Sequence, residues 1–444
     1  MTFKSDREKF IFYNIPVFLF SLLPIFLITG PFLSDLSISL ISVLFLIYCF
    51  NKKNFSFFKE KYFYIFLIFW AYLISNSIIN NFNLDSFKIS FFYFRYGVFI
   101  VAVVSLLDVE HKFINYFFYS IFICFTLLII DGFYQYFIGE NIFGFKSPSE
   151  HRVSSLFHSE MILGSYLSRL WPIFFGLSLF IFKQKNNFFF LFVIIFILSE
   201  VLIFLSGDRV AFFYINLSAI FIILFSQKLY KTRLIILVSS IILIVIISLI
   251  NPTAKERVFN LTLNQMNLSN DYFKNNNDNN KGENEIYIFT KQHTSHYITA
   301  YKMFLDKKIL GVGVKNFRNF CGDKKYLENE LSCSTHPHNT YIQLLSETGI
   351  IGFSFLIFAL IYFCKYVLRH MIFKFKGKYY FTDFEICILS GILIYLWPIA
   401  PTGNIFNNWL NIAMILNFPF LIFFNFSEIL IVSAFKYFTL LFFI

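Results

Sequence analysis

Charged residues are scarce in this sequence. They make up 14% of its 444 residues, whereas soluble globular domains have about 25%. Apolar residues reach 57%, and such a balance excludes a water-soluble enzyme and a disordered protein. Six cysteines in so long a chain also exclude a disulfide-rich secreted domain. The composition instead indicates a membrane protein that crosses the bilayer many times.

The formal net charge of +11 would suggest a nucleic-acid partner in a soluble protein. In membrane proteins, however, lysine and arginine gather in the cytoplasmic loops and set the orientation of the chain. We therefore expect no nucleic-acid partner.

Apolar runs long enough to cross a bilayer recur along the chain, since a spanning helix needs about 20 apolar residues. They predict an all-α polytopic membrane protein with about twelve transmembrane helices, at residues 14–33, 36–50, 62–80, 91–107, 113–131, 161–182, 188–206, 210–226, 234–250, 350–367, 384–400 and 408–426. The short loops on one side contain only four basic residues, Lys88, Lys146, Arg152 and Arg209. By the positive-inside pattern, this predicts that both termini are cytoplasmic.

One large polar loop interrupts this pattern. It divides the sequence into residues 1–250 with spans one to nine, the loop at 251–349, and residues 350–444 with spans ten to twelve and a C-terminal tail. Residues 264–284 are rich in asparagine and are expected to be disordered or a variable insertion. Residues 287–305 have helical spacing of apolar side chains, so the loop is expected to be partly helical. Long loops with their own structure are where function concentrates.

Chemically capable side chains are densest around His336-Pro337-His338-Asn339, shortly before Glu347 and Gly349. Asn339 is a good N-cap for a helix that Gly349 would end or break before span ten. His338 would then lie at a helix N-terminus near the outer membrane boundary, where the partial positive charge suits a phosphate. The alternative is that these residues only cap a helix.

Four histidines in the loop raise the question of a metal. They form two pairs, His293-x-x-His296 and His336-x-His338, and two histidines three residues apart on a helix can share a metal ion. Neither pair has a cysteine or carboxylate beside it at a familiar zinc spacing. We therefore expect exposed histidines and no metal.

Arginines at the predicted outer face form a second candidate group. Arg209 lies in a very short turn, where an arginine is costly unless it is paired or functional, and its alternative roles are snorkelling or a salt bridge with Asp208. Arg152 and Arg257 also face outward. Guanidinium groups bind phosphate oxygens through two hydrogen bonds at once. Arg95 and Arg169 fall inside predicted spans, and their roles are open.

Several short motifs together resemble the O-antigen ligase and polymerase family. They are Ser206-Gly-Asp-Arg209, Leu310-Gly-Val-Gly313 followed by Asn316-Phe317, His336-Pro-His-Asn339 and Glu347-Thr-Gly-Ile-Ile-Gly352. The resemblance covers about residues 150–367 by motif. It implies a membrane glycosyltransferase of the bacterial inner membrane that needs no metal or other cofactor. The outer loop would face the periplasm.

The resemblance also implies partners and roles. The donor would be a glycan linked to undecaprenyl diphosphate, and the acceptor lipid A-core or another glycan, both embedded among membrane lipids. Arg209, Arg257 and His338 match the family's essential arginines and histidine. Arg152 is a further candidate for the diphosphate, and the expected supporting residues are Asn339, His336, Glu347, Gly311 and Gly313.

The chemistry is consistent with these roles. Arginines can neutralise charge developing on a departing diphosphate. Histidine can act either as a base towards the acceptor hydroxyl or, when protonated, as a cation beside the diphosphate.

A ligase, which moves a glycan onto lipid A-core, is slightly favoured among three enzyme types. The others are a polymerase that joins repeat units and a protein O-oligosaccharyltransferase. The alternative outside the enzyme class is a lipid-glycan transporter, but the two halves show no clear internal repeat, which many transporters have.

Cys321 and Cys333 are the two cysteines outside the predicted spans. In an oxidising periplasm we expect them to form a disulfide just before His336, the alternative being two free thiols.

Overall fold

The computed structural model describes residues 1–80, 82–147, 152–182, 186–227, 230–250, 256, 260–266 and 288–427. Within these ranges the chain is helical and no strand is present, so the predicted all-α class is confirmed. The longer helices span Ile15–Thr29, Pro31–Lys52, Lys61–Ile79, Leu84–Phe92, Phe94–Val109, Ile114–Ile138, Leu163–Phe182, Asn186–Ser206, Arg209–Phe225, Tyr230–Ile250, Lys291–Asp306, Thr340–Phe375, Asp383–Leu396, Asn408–Ile415 and Asn417–Ser427. Shorter helical turns occupy Asp6–Lys9, Phe10–Asn14, Ser56–Phe58, His111–Phe113, Ser155–Phe157, Leu261–Gln265 and Phe317–Phe320.

Every predicted span coincides with helix, but helix is not the same as a membrane crossing. Seven helices in the described chain are long and apolar enough to cross a membrane, and further apolar helices of 10–17 residues accompany them. The chain is therefore a membrane protein. The count of twelve spans stays a prediction.

The centre of the bundle is the Leu163–Phe182 helix. It packs against Asp383–Leu396 and Arg209–Phe225, and nearly all of its side chains are buried. Small residues allow this close approach: a Cβ at Gly176 would lie 2.9 Å from Cβ of Cys387. Close backbone contact through small residues is the usual basis of helix association in a membrane.

Arg95, whose role the sequence left open, forms an ion pair inside the bundle. Its guanidinium lies 2.7 Å from the Asp35 carboxylate and donates a hydrogen bond of 3.2 Å to the Tyr96 hydroxyl. A charged side chain among apolar helices is tolerated when it is paired in this way. Arg95 therefore has a structural partner outside the candidate site.

The helix that follows the polar loop runs from Thr340 to Phe375 and is called the long helix here. It continues through Gly349, where φ is 63° and ψ is −167°, so the axis is kinked. This is the break that glycine predicts between the capped segment and the tenth predicted span. Residues 267–284 of the asparagine-rich segment lie outside the described residues.

Candidate functional site

Two of the four loop histidines are presented by the Lys291–Asp306 helix, called the loop helix here. Thr290 caps it by accepting a hydrogen bond from the backbone N–H of His293. His293 and His296 are three residues apart, so they lie on one face of the helix. His296 is fully buried, whereas His293 is partly exposed.

The glycines after the loop helix fasten the loop to the long helix. Gly311 and Gly313 have φ of +70° and +107°, which favour glycine. The backbone N–H groups of Val312 and Gly313 donate to the carbonyls of Ser346 and Glu347, both at 2.9 Å. We expected Gly311 and Gly313 to support the site, and the structure places them in a clamp beside the kink.

The carboxylate of Glu347 is part of the same clamp. Its side chain is fully buried and accepts hydrogen bonds from the Phe317 backbone N–H at 3.0 Å and from Gln343 Nε2 at 2.9 Å. A carboxylate held by such donors stabilises the junction between loop and helix. Glu347 is therefore a positioning residue in this geometry.

Asn339 begins the long helix and anchors the histidine motif. Its Oδ1 accepts hydrogen bonds from the backbone N–H groups of Tyr341 and Ile342, at 2.9 and 3.2 Å. Its Nδ2 donates to the carbonyl of Pro398 at 2.8 Å. The sequence predicted the cap. The hydrogen bond to Pro398, which lies after the Asp383–Leu396 helix, joins distant segments and could not be predicted from a local pattern.

His336 is buried and has both ring nitrogens engaged. Nε2 lies 3.1 Å from the Thr402 carbonyl oxygen, which can only accept, so this nitrogen carries the proton. Nδ1 then accepts from the Thr335 hydroxyl at 2.9 Å. These bonds hold the loop against Thr402.

His338 is held by its backbone and is the less buried of the two. Its φ is +57°, a left-handed conformation rare for a residue with a side chain, and its carbonyl accepts the Thr402 N–H at 2.8 Å. Nε2 lies 2.9 Å from the Ser334 hydroxyl. Backbone strain of this kind clusters at functional sites.

The two histidine pairs meet in one group, called the histidine cluster here. The ring centroid of His338 lies 4.1 Å from that of His336, 5.3 Å from that of His296 and 5.4 Å from that of His293. The expectation of exposed histidines is therefore wrong for His296 and His336, which are buried by the packing of the loop helix against the histidine motif. In the described part of the chain, no three His, Cys, Asp or Glu side chains are arranged to hold a metal ion.

Burial keeps the cluster neutral. Loss of solvation, followed by the charge of the neighbouring His296, lowers the pKa of His338 to about 4. Burial and the charges of His338, His296 and Arg209 lower the pKa of His293 to about 4. Burial, followed by the charge of His338, lowers the pKa of His336 to about 3. The rings are therefore neutral imidazoles near pH 7.

Arg209 belongs to the surroundings of this cluster. It is the first residue of the Arg209–Phe225 helix, which Asp208 caps by accepting the Ala211 N–H at 3.1 Å. One guanidinium nitrogen donates to Gln265 at 3.0 Å, and the effect of Arg209 on the pKa of His293 places its charge close to that ring. The salt bridge considered between Arg209 and Asp208 is replaced by a helix cap.

The other two candidate arginines are placed differently. Arg152 donates through Nε to the Ser206 carbonyl at 2.8 Å, so it lies against the turn that carries Arg209. Arg257 lies outside the described residues.

A disulfide joins Cys321 to Cys333, with the two Cα atoms 5.1 Å apart. This is the pairing expected from the sequence. It closes the segment directly before Ser334, the hydrogen-bond partner of His338.

Arg169 is a basic residue whose role could not be assigned from the sequence. It is 4% exposed and lies between the rings of Tyr214 and Tyr395, 5.0 and 4.7 Å from their centroids. Stacking on two aromatic rings stabilises a guanidinium away from water. An arginine inside an apolar run was the signal that could have identified it.

Comparison with known proteins assigns the segment that carries this site. Residues 190–357 match the O-antigen ligase family, and the match includes Arg209, the loop helix and the histidine motif. A search of curated proteins returned no match. The resemblance drawn from the motifs is therefore confirmed for residues 190–357, which are similar to the O-antigen ligase family.

Proposed function

We propose that this protein, which has the O-antigen ligase family domain at residues 190–357, transfers a glycan from undecaprenyl diphosphate to a hydroxyl of lipid A-core. The observation that supports the proposal most is the position of His338. A neutral imidazole is held by a constrained backbone at the entrance to a helix N-terminus, with the charge of Arg209 nearby.

The reaction needs a base and a site for the leaving group. The acceptor oxygen attacks the anomeric carbon of the donor sugar, and the bond from that carbon to the diphosphate oxygen breaks. We assign the proton of the acceptor hydroxyl to His338, which is neutral before the reaction. A positioned general base contributes about 100- to 10,000-fold to a rate.

We assign the departing diphosphate to Arg209, assisted by Arg152 and Arg257. Planar guanidinium groups bind phosphate oxygens in pairs and stabilise charge that develops in the transition state. In this proposal no metal takes part. The rings of His336 and His338 form hydrogen bonds to Ser334, Thr335 and Thr402, which supports a role of these two residues as free imidazoles.

Three roles are positional. Asn339, Glu347 and the Gly311–Gly313 turn fix the backbone around His338, and His336 joins the motif to Thr402. We propose that residues 251–349 form the periplasmic part and that residues 1–250 and 350–444 supply the spans. The protein would then lie in the inner membrane with both termini in the cytoplasm.

Deletion of the protein followed by sizing of the surface glycan tests the reaction class. Loss of a ligase leaves bare lipid A-core while lipid-linked polymer accumulates. Loss of a polymerase leaves core capped with one repeat unit, and this result would replace the ligase by the polymerase. A normal glycan profile would contradict both.

A purified assay with a lipid-diphosphate donor tests the assigned base. His338→Ala should abolish detectable transfer while the protein still inserts and keeps its thermal stability. Lys324→Gln, an exposed change in the same loop, is the control and should keep full activity. Full activity of His338→Ala would end this mechanism.

A further inference from the structure

A large cavity lies beside the histidine motif but apart from Arg209. Its volume is about 1060 Å³, near the upper end for small-molecule sites, which is about 1,000 Å³. His336 lines it, whereas His338, His293 and Arg209 do not. Its lining includes Arg169, Lys315, Arg318 and His336 together with one carboxylate, Glu160, and it is called the basic cavity here.

Another part of the lining of the basic cavity is apolar. It is lined by Ile25 and Ile28 of one helix and by Ile123 and Leu127 of the Ile114–Ile138 helix. Ile123 and Leu127 are about half exposed, at 49% and 48%, so this part opens on the outer surface of the helical bundle. In a membrane protein, that surface faces lipid chains. The cavity therefore offers cations and a lateral apolar opening.

Lys315 and Arg318 are partly compensated by the charge of Glu347, and Lys315 also by that of Asp85. Among the described residues, neither Lys315 nor Arg318 forms a salt bridge. Arg169 is buried, and its Nε–H has no hydrogen-bond partner in the described part of the chain. This Nε is shielded from the cavity, so Lys315 and Arg318 are the cations that offer donors to an anion there.

The backbone holds Lys315 in place. Its φ is +58°, again in the left-handed region, directly after the clamp at Gly313. Burial lowers the pKa of Lys315, and the adjacent charge of Arg318 lowers it further. Two cations held near each other and partly removed from water favour a phosphate that lies between them.

These observations indicate an amphiphile with a phosphate group and apolar chains. The proposed reaction joins two such molecules, and each needs its own place at the moment of transfer. The donor diphosphate is assigned to Arg209. We propose that the basic cavity binds the acceptor, a phosphorylated glycolipid, with its phosphate at Lys315 and Arg318 and its chains leaving between the Ile15–Thr29 and Ile114–Ile138 helices.

This assignment rests on the proposed transferase function. It places the acceptor beside His336, which lines the basic cavity, and the donor beside His338. The ring of His338 lies 4.1 Å from the ring of His336. A hydroxyl of a molecule in the basic cavity can therefore approach His338 across a short distance. The geometry accounts for the closeness of the two rings without a metal.

The test measures each substrate separately with purified protein in mixed micelles. The probes are a bis-phosphorylated lipid A-core acceptor and an undecaprenyl-diphosphate glycan donor. The combined change Lys315→Gln with Arg318→Gln should raise the acceptor KM by about tenfold or more, because hydrogen bonds between charged groups are lost. The donor KM and the kcat at saturating acceptor should stay near those of the wild type. Lys324→Gln is the matched control and should change neither KM.

The lateral opening is tested by a bulkier side chain. Leu127→Trp narrows it and should raise the KM for the acceptor. Ile130→Trp is the matched control, since Ile130 is exposed on the same helix but does not line the basic cavity. If Leu127→Trp and Ile130→Trp changed the acceptor KM equally, the proposal that the acceptor enters beside Leu127 would be wrong.

Binding measured without turnover separates this inference from the function. Native mass spectrometry should show lipid A bound to the wild type and weakened in the double variant. A higher donor KM with an unchanged acceptor KM would overturn the acceptor assignment and leave the transferase intact. If the wild type transferred no glycan but still bound lipid A through Lys315 and Arg318, the proposed transferase function would be wrong. The phosphate site in the basic cavity would still be supported.

Discussion

Replacing Gly311 by alanine tests the clamp that joins the loop to the long helix. A Cβ at this position would lie 2.5 Å from the Glu347 carbonyl carbon and 2.6 Å from the Ser346 oxygen. Both are backbone atoms, so no side chain can rotate away. The left-handed φ of +70° adds about 1–2 kcal/mol of strain for any residue with a Cβ. Forced overpacking costs about 1–3 kcal/mol, and each of the two backbone hydrogen bonds to Ser346 and Glu347 contributes about 1 kcal/mol.

Together these losses predict a destabilisation of the loop by about 4–7 kcal/mol for Gly311→Ala. Gly144→Ala is the matched control: its φ is +80°, but no atom lies within 4 Å of the added Cβ, so it carries the strain without the clash. Limited proteolysis of the loop and glycan transfer in membranes measure the outcome. Gly311→Ala should be cleaved faster and lose transfer, whereas Gly144→Ala should keep both near wild type. Equal behaviour of the two variants would refute the clamp.

Three further outcomes are expected. Arg209→Lys keeps the positive charge but loses the planar guanidinium group, so glycan transfer should fall at least about tenfold at normal expression. Transfer near the wild-type rate would show that Arg209 contributes only its charge. Removing the disulfide by Cys321→Ser with Cys333→Ser should destabilise the loop by about 3 kcal/mol on the chain-entropy model, and proteolysis of the loop should become faster. Unchanged proteolysis would exclude the bridge. Mass spectrometry that finds both thiols alkylated in unreduced protein would also exclude it. Asp35→Leu should lower thermal stability more than the pair Asp35→Leu with Arg95→Leu, because it leaves a partly buried cation without its carboxylate. The reverse order would show that the ion pair does not stabilise the fold.

Local rules predicted much of this fold. Apolar runs located a helix at each expected span, and Asn339 and Gly349 marked the cap and the kink of the long helix. These features depend on residues within one or two turns of each other. The same rules could not give the number of membrane crossings, because length and apolarity do not distinguish a short buried helix from a span.

The site was predicted only in part. The histidine motif and Arg209 were recognisable from the sequence, but their neighbours come from distant segments. His296 reaches His338 only because the loop helix packs against the histidine motif. Glu347 was expected to support the site, but its partner, the Phe317 backbone N–H, lies in a different segment and could not be named from the sequence. Such contacts depend on tertiary packing, so no local periodicity in the sequence predicts them.

The electrostatics of His338 favour the base over the cation, the two roles that the sequence left open. Burial, the neighbouring His296 and the positive end of the long helix all disfavour an imidazolium, and the pKa of His338 is lowered to about 4. The free protein therefore holds a neutral base that is lost only as the pH falls towards that value. A diphosphate bound at Arg209 would bring negative charge and raise the pKa of His338. Because kcat/KM reports the free enzyme and kcat the substrate complex, the acid limb of kcat should lie at higher pH than that of donor kcat/KM. Activity that rises as the pH falls from 8 to 5 would show a cationic His338 and refute the base.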